Sequence, residues 1–455
     1  MESIFALVDG NAFYASCQMV FEPSLQGRPV VVLSNNDGCI VAANAEAKQL
    51  NAELMARVHS LGSGGYASAM PDNMMFQPYF KVKWLLDRHH AKVFSSNYEL
   101  YADMSNRMHQ LLGQFAPRQE IYSIDESFLE LSGLHPSLYP QGLCAYGQQI
   151  RHRVRQDLGL PVAVGFGSTK TLAKLANHLA KKKSVYQGVC DLTAFDETRL
   201  SECLAQVSVA AVWGVGKRLS ARLQQEGITT AQDLRCANSA RLRAKYGVVL
   251  ARTAAELNGH SCLALEEVAA AKKQLRVSRS FAHPVTDRQQ MAEILVSYSS
   301  RAAEKLRREG AVAQLVTVFL RTNPFSEDPY YAPSLSVSLH HPTDNSIQFA
   351  KVVKRLLVQI WREGVRFHKA GVLFSDLQPN SRLQYDLFAT PARFVDSPQQ
   401  TQLMQLMDEL NHRHGRGSVF LAASGASRAQ TWPMARTLLS PRYTTRWEDL
   451  PVAKA

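Results

Sequence analysis

The amino-acid sequence predicts a multidomain protein that combines a larger α/β domain with a smaller α+β domain. Its 455 residues predict three or four domains at about 100–200 residues per domain. Residues 1 to about 185 alternate strand-like and helical patterns, a helical segment follows over about 193–262, and a second mixed region begins near 272. Beyond about 375 the pattern is mostly loop-like.

Each element is predicted from the spacing of its apolar residues. Short apolar runs predict strands at 29–33, 121–124, 161–164, 315–320 and 335–339, and amphipathic spacing predicts helices at 171–182, 291–308 and 401–410. The chain shows no internal repeat.

Composition narrows the class of protein. With 46% hydrophobic and 20% charged residues, and no apolar run approaching a membrane span, we expect a soluble folded protein without a membrane partner. The apolar start at residues 1–8 is too short for a signal peptide and predicts a first core strand. Seven scattered cysteines, none in a CxxC, predict neither a disulfide framework nor a zinc site and fit a cytoplasmic location. A net charge of +12 favours a polyanionic partner such as nucleic acid.

Acidic residues stand at the ends of two predicted strands. Asp9 ends the first apolar run, and Asp125 and Glu126 follow another directly. Because neighbouring side chains on a regular strand point to opposite faces, both of the latter can reach one ion only where the chain turns. Three carboxylates would form a hard oxygen site suited to Mg²⁺ or Mn²⁺. The alternative is that each is a cap or a solvated loop residue.

Four longer motifs, in order along the chain, favour the metal-site interpretation of these acidic residues. They are DGNAFYASC at 9–17, LSNNDGC at 33–39, SSNYELY at 95–101 and SIDE at 123–126. Together they resemble Y-family DNA polymerases, specifically the UmuC branch, the catalytic subunit of DNA polymerase V. The resemblance implies a right-hand polymerase with palm, fingers and thumb, a little-finger domain and a C-terminal tail.

The resemblance also implies domain limits. These are a palm over 1–20 and 78–185, fingers over 21–77, a helical thumb over 186–265, a little finger over 272–375, and a UmuC-type tail over 376–455. The fingers contain an unusual insertion at about 51–76, with Gly62-Ser63-Gly64-Gly65 and four methionines. It is a flexible loop, a true fingers insertion or an unnatural interruption, and it puts the geometry of the fingers in question.

By position, Asp9, Asp125 and Glu126 would hold two Mg²⁺ ions, for which Mn²⁺ can substitute, and the carbonyl of Gly10 would complete one of the ion sites. Two such ions stabilise the attacking primer oxygen and the leaving pyrophosphate. Tyr14 matches the steric gate, an aromatic ring that excludes the 2′-hydroxyl of ribonucleotides. As a lone residue it would be read as a core aromatic.

Further residues are matched to nucleotide binding. Phe13 lies beside the gate residue, and Lys48 and Lys181 match basic contacts to the triphosphate. A basic run such as 181–183 is otherwise a solvated face. Some relatives carry a tyrosine where Ala45 stands, so that phosphate contact is absent here or supplied elsewhere.

DNA contacts are expected in two later domains. Gly214, Gly216 and Lys217 match a helix-hairpin-helix whose backbone N–H groups bind a DNA phosphate, although a simple helix-helix turn has the same pattern. Arg276 and Arg279 resemble the strand that follows the template phosphates, and such contacts are independent of sequence and sensitive to salt.

The tail contains a match to the short peptide that binds the bacterial sliding clamp. In this match Gln384 orients the peptide, and Leu387 and Phe388 enter an apolar pocket. The alternative is that these apolar side chains pack on the little finger. The final stretch, 418–450, resembles the UmuC tail, but its residue types do not indicate a chemical role.

The resemblance therefore predicts an error-prone translesion DNA polymerase of SOS-type mutagenic repair. Its expected partners are primer-template DNA, deoxynucleoside triphosphates, the sliding clamp, a UmuD-like accessory dimer and a RecA filament. Two alternatives belong to other classes. One is another palm-based phosphoryl-transfer enzyme, which the little finger and clamp motif argue against. The other is a DNA-binding accessory protein whose catalysis is impaired by the fingers insertion.

Overall fold

The computed structural model describes residues 3–60, 73–266, 271–326, 328–382, 398–415, 417–425 and 436–450. Internal contacts divide the chain into two compact units. The first unit comprises Met1–Ala269 and Thr437–Ala455, and the second comprises Ala270–Arg436. No helix within the described ranges has both the length and the apolar character that a membrane span requires.

The first unit contains eight of the described strands and twelve of the described helices. The strands are β1 Phe5–Gly10, β2 Val30–Leu33, β3 Ile40–Ala43, β4 Lys92–Ser95, β5 Arg118–Ile121, β6 Glu126–Glu130, β7 Val162–Gly167 and β8 Val189–Asp191. The helices are α1 Phe13–Phe21, α2 Ala45–Gln49, α3 Asn51–Ser60, α4 Tyr79–Arg88, α5 Tyr98–Leu112, α6 Gly142–Leu158, α7 Lys170–Lys182, α8 Glu197–Ala205, α9 Lys217–Gln225, α10 Ala231–Cys236, α11 Ser239–Tyr246 and α12 Val248–Leu257.

The central sheet of this unit has the strand order β5-β6-β1-β7-β8. Residues 5–8 of its middle strand β1 are all apolar and buried, as expected for a strand covered on both faces of the sheet. Ala6 and Val8 face a large core that includes side chains of α1, α5 and α6. Phe5 and Leu7 face a second cluster that includes Ala173 of α7. The polar end of β1 is therefore the point where a functional side chain leaves the core.

A second, three-stranded sheet has the order β3-β2-β4. Both described ends of the 51–76 insertion pack into its core, since Leu54 and Met74 are fully buried there. The backbone N–H of Met74 also donates to Asn51 Oδ1 over 3.0 Å. The insertion is thus joined to this core at each end, and its residues 61–72 lie outside the described part of the chain.

Helices α8 to α12 share an apolar core with one side of α7. Between the short 3₁₀ turn Val209–Ala211 and α9, the backbone reverses at Gly214, whose φ is +88°. Glycine adopts this left-handed conformation without the steric cost that other residues meet.

The second unit is an antiparallel sheet covered by helices. Its described elements are β9 Gln274–Val285, α13 Arg288–Arg308, β10 Ala311–Arg321, β11 Ser334–Thr343, α14 Ser346–Ile360, β12 Phe367–Pro379 and α15 Pro398–His414. The strand order is β11-β10-β12-β9. Helices α13 and α14 bury one face of the sheet in a single apolar core, so the side chains that alternate with this core lie on the opposite face.

Two predicted elements are wrong in detail. The strand predicted at 121–124 ends at Ile121, because the N–H groups of Tyr122 and Ser123 both donate to the carbonyl of Glu126 and turn the chain into β6. The loop predicted from about 376 begins later, because β12 continues to Pro379 along β10. Local apolar pattern did not reveal either hydrogen-bonding arrangement.

Candidate active site

The three predicted carboxylates come together at one edge of the central sheet. Asp9 of β1 lies directly opposite Glu126 of β6 in the antiparallel register, so their side chains share a face. Asp125 precedes Glu126, and its carbonyl accepts a 2.8 Å hydrogen bond from the N–H of Gly10. Residues more than a hundred positions apart in sequence are therefore held together by strand pairing.

The turn before β6 orients Asp125. The hydroxyl of Ser123 donates to Asp125 Oδ1 over 2.6 Å and accepts from the N–H groups of Asp125 and Glu126. Beneath it, Nε2 of His109 lies 3.1 Å from the carbonyl of Ser123. Sequence reasoning missed both Ser123 and His109, although the serine within SIDE was part of the motif.

Two lysine side chains of helix α7 each form an ion pair with one of the carboxylates. Lys181 Nζ is 2.5 Å from Asp9 Oδ1, and Lys174 Nζ is 2.7 Å from Glu126 Oε1. The ammonium group of Lys174 also lies 4.6 Å from the ring centre of Tyr122. Lys181 was predicted, whereas Lys174 was missed. Lys174 stands seven residues before Lys181, two turns earlier on the same face of α7, and this spacing is the signal that could have identified it.

The charges of this cluster perturb one another. Burial raises the pKa of Asp9 to about 6; Lys181 opposes the rise, and the negative charges of Glu126 and Asp125 add to it. Burial lowers the pKa of Lys48, and repulsion from Lys181 and Lys182 lowers it further. The two lysines predicted to bind a triphosphate therefore contribute to one positive region beside Asp9.

The donor set suits a hard divalent cation, although the side chains are not already arranged as a finished cage. Across the described ranges, no three Asp, Glu, His or Cys side chains converge as metal ligands. Instead, Lys181, Ser123 and Lys174 each occupy one carboxylate oxygen. The negative charges of Glu126 and Asp125 raise the pKa of Asp9, and a cation placed among such neighbouring carboxylates relieves this repulsion. Asp9, Asp125 and Glu126 therefore fit this role after rotation of their side chains.

Tyr14 lies within a cluster of aromatic rings. Its ring stacks on Tyr101 at 4.5 Å and 14°, and meets the edge of Tyr98 at 6.1 Å. The hydroxyl of Tyr101 accepts a 2.8 Å hydrogen bond from Gln18. Phe13 is buried in the core at 3% exposure, and its predicted contact with the nucleotide stays a prediction. Its ring packs over Gly10, where an added Cβ would lie 3.0 Å away.

The predicted hairpin over 212–217 has an aromatic contact with Tyr122, in the turn that precedes β6. Trp213 Nε1 donates to the hydroxyl of Tyr122 over 3.1 Å, and the two rings meet edge to face at 5.5 Å. Gly216 is the N-cap of α9, and Lys217 is the first residue of that helix. Backbone N–H groups at such a helix start can bind an anion.

The second unit separates the two arginines predicted to follow DNA. Arg276 is exposed between buried Leu275 and Val277, whereas Arg279 has the same parity along the strand as Leu275, Val277 and Phe281 and so lies on the face that the helices cover. Arg276 and Arg321 lie over the ring of Phe319 at 4.4 and 5.7 Å. Burial, Arg276 and Arg321 lower the pKa of Lys369. The open face of the sheet thus carries Arg276, Arg321 and Lys369, which we call the basic face.

The clamp-binding match at Gln384, Leu387 and Phe388 lies outside the described residues. Its assignment stays a prediction from sequence.

Comparison with known proteins follows the same division of the chain. The impB/mucB/samB family model matches residues 8–178, the C-terminal domain model of that family matches 272–387, and a domain of unknown function (DUF4113) matches 401–453. Protein UmuC of Salmonella typhimurium (strain LT2) is 45% identical over 449 residues, which cover 98% of this chain and 99% of that protein. Protein MucB of Escherichia coli is 40% identical over 453 residues, with 99% of each chain covered.

More distant similarity extends to other polymerases. DNA polymerase IV 1 of Bacillus subtilis (strain 168) is 24% identical over 417 residues, 90% of each chain. Among solved structures, the Y-family DNA polymerase chimera Dbh-Dpo4(243-245)-Dbh has a TM-score of 0.59 at 20% identity, with 82% of this chain and 98% of that chain covered. The structural likeness identifies the fold.

Proposed function

Because this chain belongs to the impB/mucB/samB family, we infer that it is a translesion DNA polymerase of the UmuC branch of the Y family. It is a DNA-directed DNA polymerase, a nucleotidyltransferase that extends a primer with deoxynucleotides. The observation that carries the assignment of its catalytic centre is the pairing of Asp9 with Glu126 across β1 and β6, with Asp125 beside them.

Asp9, Asp125 and Glu126 would hold Mg²⁺, as two ions in the proposed arrangement, with Mn²⁺ as a substitute. When bound, a divalent cation stabilises negative charge on the attacking and leaving oxygens of an in-line phosphoryl transfer. The chain's own contribution is to hold the backbone of these residues at the strand ends of a sheet covered on both faces, so that binding requires side-chain rotation and not backbone movement.

Lys181 and Lys48 would bind the triphosphate of the incoming nucleotide. Lys181 Nζ lies 2.5 Å from Asp9 Oδ1 and balances the charge of this carboxylate. On nucleotide binding we propose that Lys181 transfers to the phosphates and leaves Asp9 to its cation. This exchange keeps positive charge next to Asp9 in both states.

Tyr14 would exclude ribonucleotides. Its ring is supported by Tyr101, which is fully buried, and by Tyr98. A ring supported in this way cannot move aside for a 2′-hydroxyl without disturbing its neighbours.

DNA would be bound through phosphates by the turn at Gly214 and Gly216, by Lys217, and by the basic face of the second unit. Contacts to phosphates do not depend on the base sequence, which suits a polymerase that accepts damaged templates. We further propose the sliding clamp, a UmuD-like dimer and a RecA filament as protein partners, in keeping with mutagenic SOS repair in the cytoplasm.

The fingers insertion raised the alternative of an accessory protein with impaired catalysis. The burial of Leu54 and Met74 in the core of the three-stranded sheet favours an insertion that the fold accommodates. The polymerase assignment is therefore the one retained.

A primer-extension assay on undamaged and lesion-containing templates tests the proposal. The purified full chain is assayed with Mg²⁺, alone and with a UmuD-like dimer and RecA filament. Asp9→Ala and Asp125→Ala should each reduce insertion by at least about a thousandfold, because each removes a ligand of the reacting centre. Primer-template affinity should stay within about twofold, because neither side chain is a DNA contact.

The matched control is Asp157→Asn, which removes a surface carboxylate paired with Arg153 on α6. This variant should extend primers like the wild type. Near-normal extension by Asp9→Ala or Asp125→Ala would refute the assignment of the site.

A further inference from the structure

The C-terminal segment Thr437–Tyr443, which we call the brace, belongs to the first unit and is hydrogen-bonded to Ser95 at the end of β4. The N–H of Ser95 donates to the carbonyl of Leu438 over 2.9 Å, and the N–H of Leu438 donates to Ser95 Oγ over 3.0 Å. The N–H and hydroxyl of Thr437 both donate to Asp37 Oδ2. The brace lies within the region of unknown function.

Asn97 connects the brace to the start of α5. This side chain is fully buried, and its amide donates to the carbonyl and hydroxyl of Ser440 and to the carbonyl of Pro441, over 3.0–3.1 Å. Its Oδ1 accepts from the N–H of Leu100 and so caps α5. A single side chain therefore fixes both the first turn of α5 and the brace.

The other end of the brace holds α1. Tyr443 stacks on Phe21, the last residue of α1, with ring centres 4.7 Å apart and planes 9° apart. Ser440 is buried at 4% exposure, whereas the ion pair of Arg442 with Glu99 is long, at 3.8 Å, and exposed. The buried contacts therefore dominate the attachment.

The two helices that the brace joins carry the aromatic cluster. Tyr14 is in the first turn of α1, and Tyr98 and Tyr101 are in the first turn of α5. Gln18 of α1 donates to the hydroxyl of Tyr101. A shift of α5 relative to α1 would consequently change the surface against which Tyr14 stacks.

We infer that the brace is a positioning element for nucleotide-sugar selection, acting through the first turn of α5 on the Tyr14, Tyr98 and Tyr101 cluster. This inference rests on the proposed role of Tyr14 as the steric gate. It assigns a role to part of the region of unknown function, and that role concerns the active site of the same unit.

The experiment compares single-nucleotide insertion of ribonucleotides and deoxynucleotides by the full chain. Ser440→Leu with Tyr443→Ala should displace the brace, because leucine does not fit at a buried serine and alanine removes the stacked ring. Discrimination against ribonucleotides should fall by about tenfold, since small misplacements of a positioning group have effects of at least this size. If the double variant folds poorly, Tyr443→Ala alone is tested instead, because the Tyr443 ring is only half-buried and its removal should disturb folding less.

Two variants serve as controls. Tyr443→Phe keeps the stacked ring, so this variant should discriminate against ribonucleotides as well as the wild type does. Trp447→Ala removes a larger ring from the same C-terminal region, but one that is 86% exposed, and should leave discrimination unchanged.

Combination with Tyr14→Ala separates the possible failures. If the brace acts through Tyr14, displacing it in a Tyr14→Ala background should cause no further loss of discrimination. If Tyr14→Ala changes the ribo-to-deoxynucleotide ratio but the brace variants do not, the brace inference is overturned and the steric gate stands. If Tyr14→Ala itself leaves the ratio unchanged, the gate assignment fails and the inference built on it fails as well.

Discussion

At the scale of single residues, each carboxylate of the candidate site has a neighbouring ammonium or hydroxyl group. Asp9 and Glu126 are each matched by a lysine of α7, and Asp125 by the hydroxyl of Ser123. A lysine beside a catalytic carboxylate can either hold that carboxylate in place or be released to the substrate. The two α7 lysines are expected to differ in this respect, and kinetics can distinguish them.

We predict that Lys181→Met mainly raises KM for the incoming nucleotide, because Lys181 is proposed to bind its phosphates. Lys174→Met should mainly lower kcat, by about tenfold, because Lys174 orients Glu126 and is not proposed to contact substrate. Steady-state single-nucleotide insertion measures both constants. Lys183→Met, at a lysine that donates to Gln206, is the control. Equal effects of the Lys174 and Lys181 variants on KM would contradict the division of roles.

His109 predicts a dependence of stability on pH. Burial lowers its pKa below the usual 6.5, while its bond to the Ser123 carbonyl opposes this shift. As the pH falls below 6.5, the unfolded chain is protonated first, so this histidine's contribution to stability is lost towards the lower folded pKa. Relative to His109→Gln, the wild type should lose melting temperature between pH 7.5 and 5.5. A difference that stays constant over this range would show that His109 does not titrate as the structure indicates.

At the scale of elements, turn and strand geometry decide which residues can reach DNA. Gly214 needs a left-handed backbone, while Gly216 has an ordinary φ of −80° at the start of α9. In the second unit, the alternation along β9 places Arg276 on the open face and Arg279 on the other. Residues that look equivalent in a motif therefore have different expected roles.

We predict that Gly214→Ala destabilises the helix-hairpin-helix by about 1–2 kcal/mol, because alanine is strained in a left-handed conformation. Gly216→Ala should leave stability unchanged, since a Cβ there meets nothing within 4 Å. Thermal unfolding of the two variants tests this difference. Equal stability would show that the turn tolerates alanine at Gly214.

For the basic face, Arg276→Ala should weaken primer-template binding. It should also reduce the slope of log affinity against log salt concentration by about one, because one fewer counterion is released on binding. Arg279→Ala should leave the salt slope unchanged, because its side chain lies on the opposite face. Affinity measured by fluorescence anisotropy across a salt series gives both slopes. An equal loss of slope in the two variants would contradict the assignment of faces.

At the scale of the whole molecule, one chain contains two compact units and a segment matched as a domain of unknown function. That segment is divided, because α15 belongs to the second unit and Thr437–Ala455 to the first. In the sequence, the clamp-binding match at residues 384–388 lies between β12 and α15. A clamp-binding peptide in this part of the chain, as proposed, would keep the enzyme close to the primer between binding events.

We predict that Leu387→Ala with Phe388→Ala shortens primer-extension products made with a loaded sliding clamp and leaves clamp-free insertion unchanged. Burying two such side chains contributes about 1.5–3 kcal/mol each before the cost of ordering the peptide, which fits a weak, reversible tether. Product length with and without clamp measures the effect. A full response to the clamp by the double variant would show that the tether is elsewhere.

The sequence by itself determined the fold class, the type of several core strands and helices, and the family. Its apolar runs correctly predicted the regions of β1, β7, β10 and α13 because core burial imposes strict periods on strands and helices. The SIDE and DGN motifs identified the three carboxylates before any distance was known. These conclusions depend on local pattern, and local pattern is present in the chain.

The tertiary structure decided which groups meet. That Lys174 pairs with Glu126, that Phe13 is buried, and that Arg276 and Arg279 face opposite ways follow from strand register and helix packing. The contact of Ser440 with Asn97 joins residues 343 positions apart. No local period encodes such pairs, because they depend on how distant surfaces fit together, and this is why the brace could not be identified from the sequence.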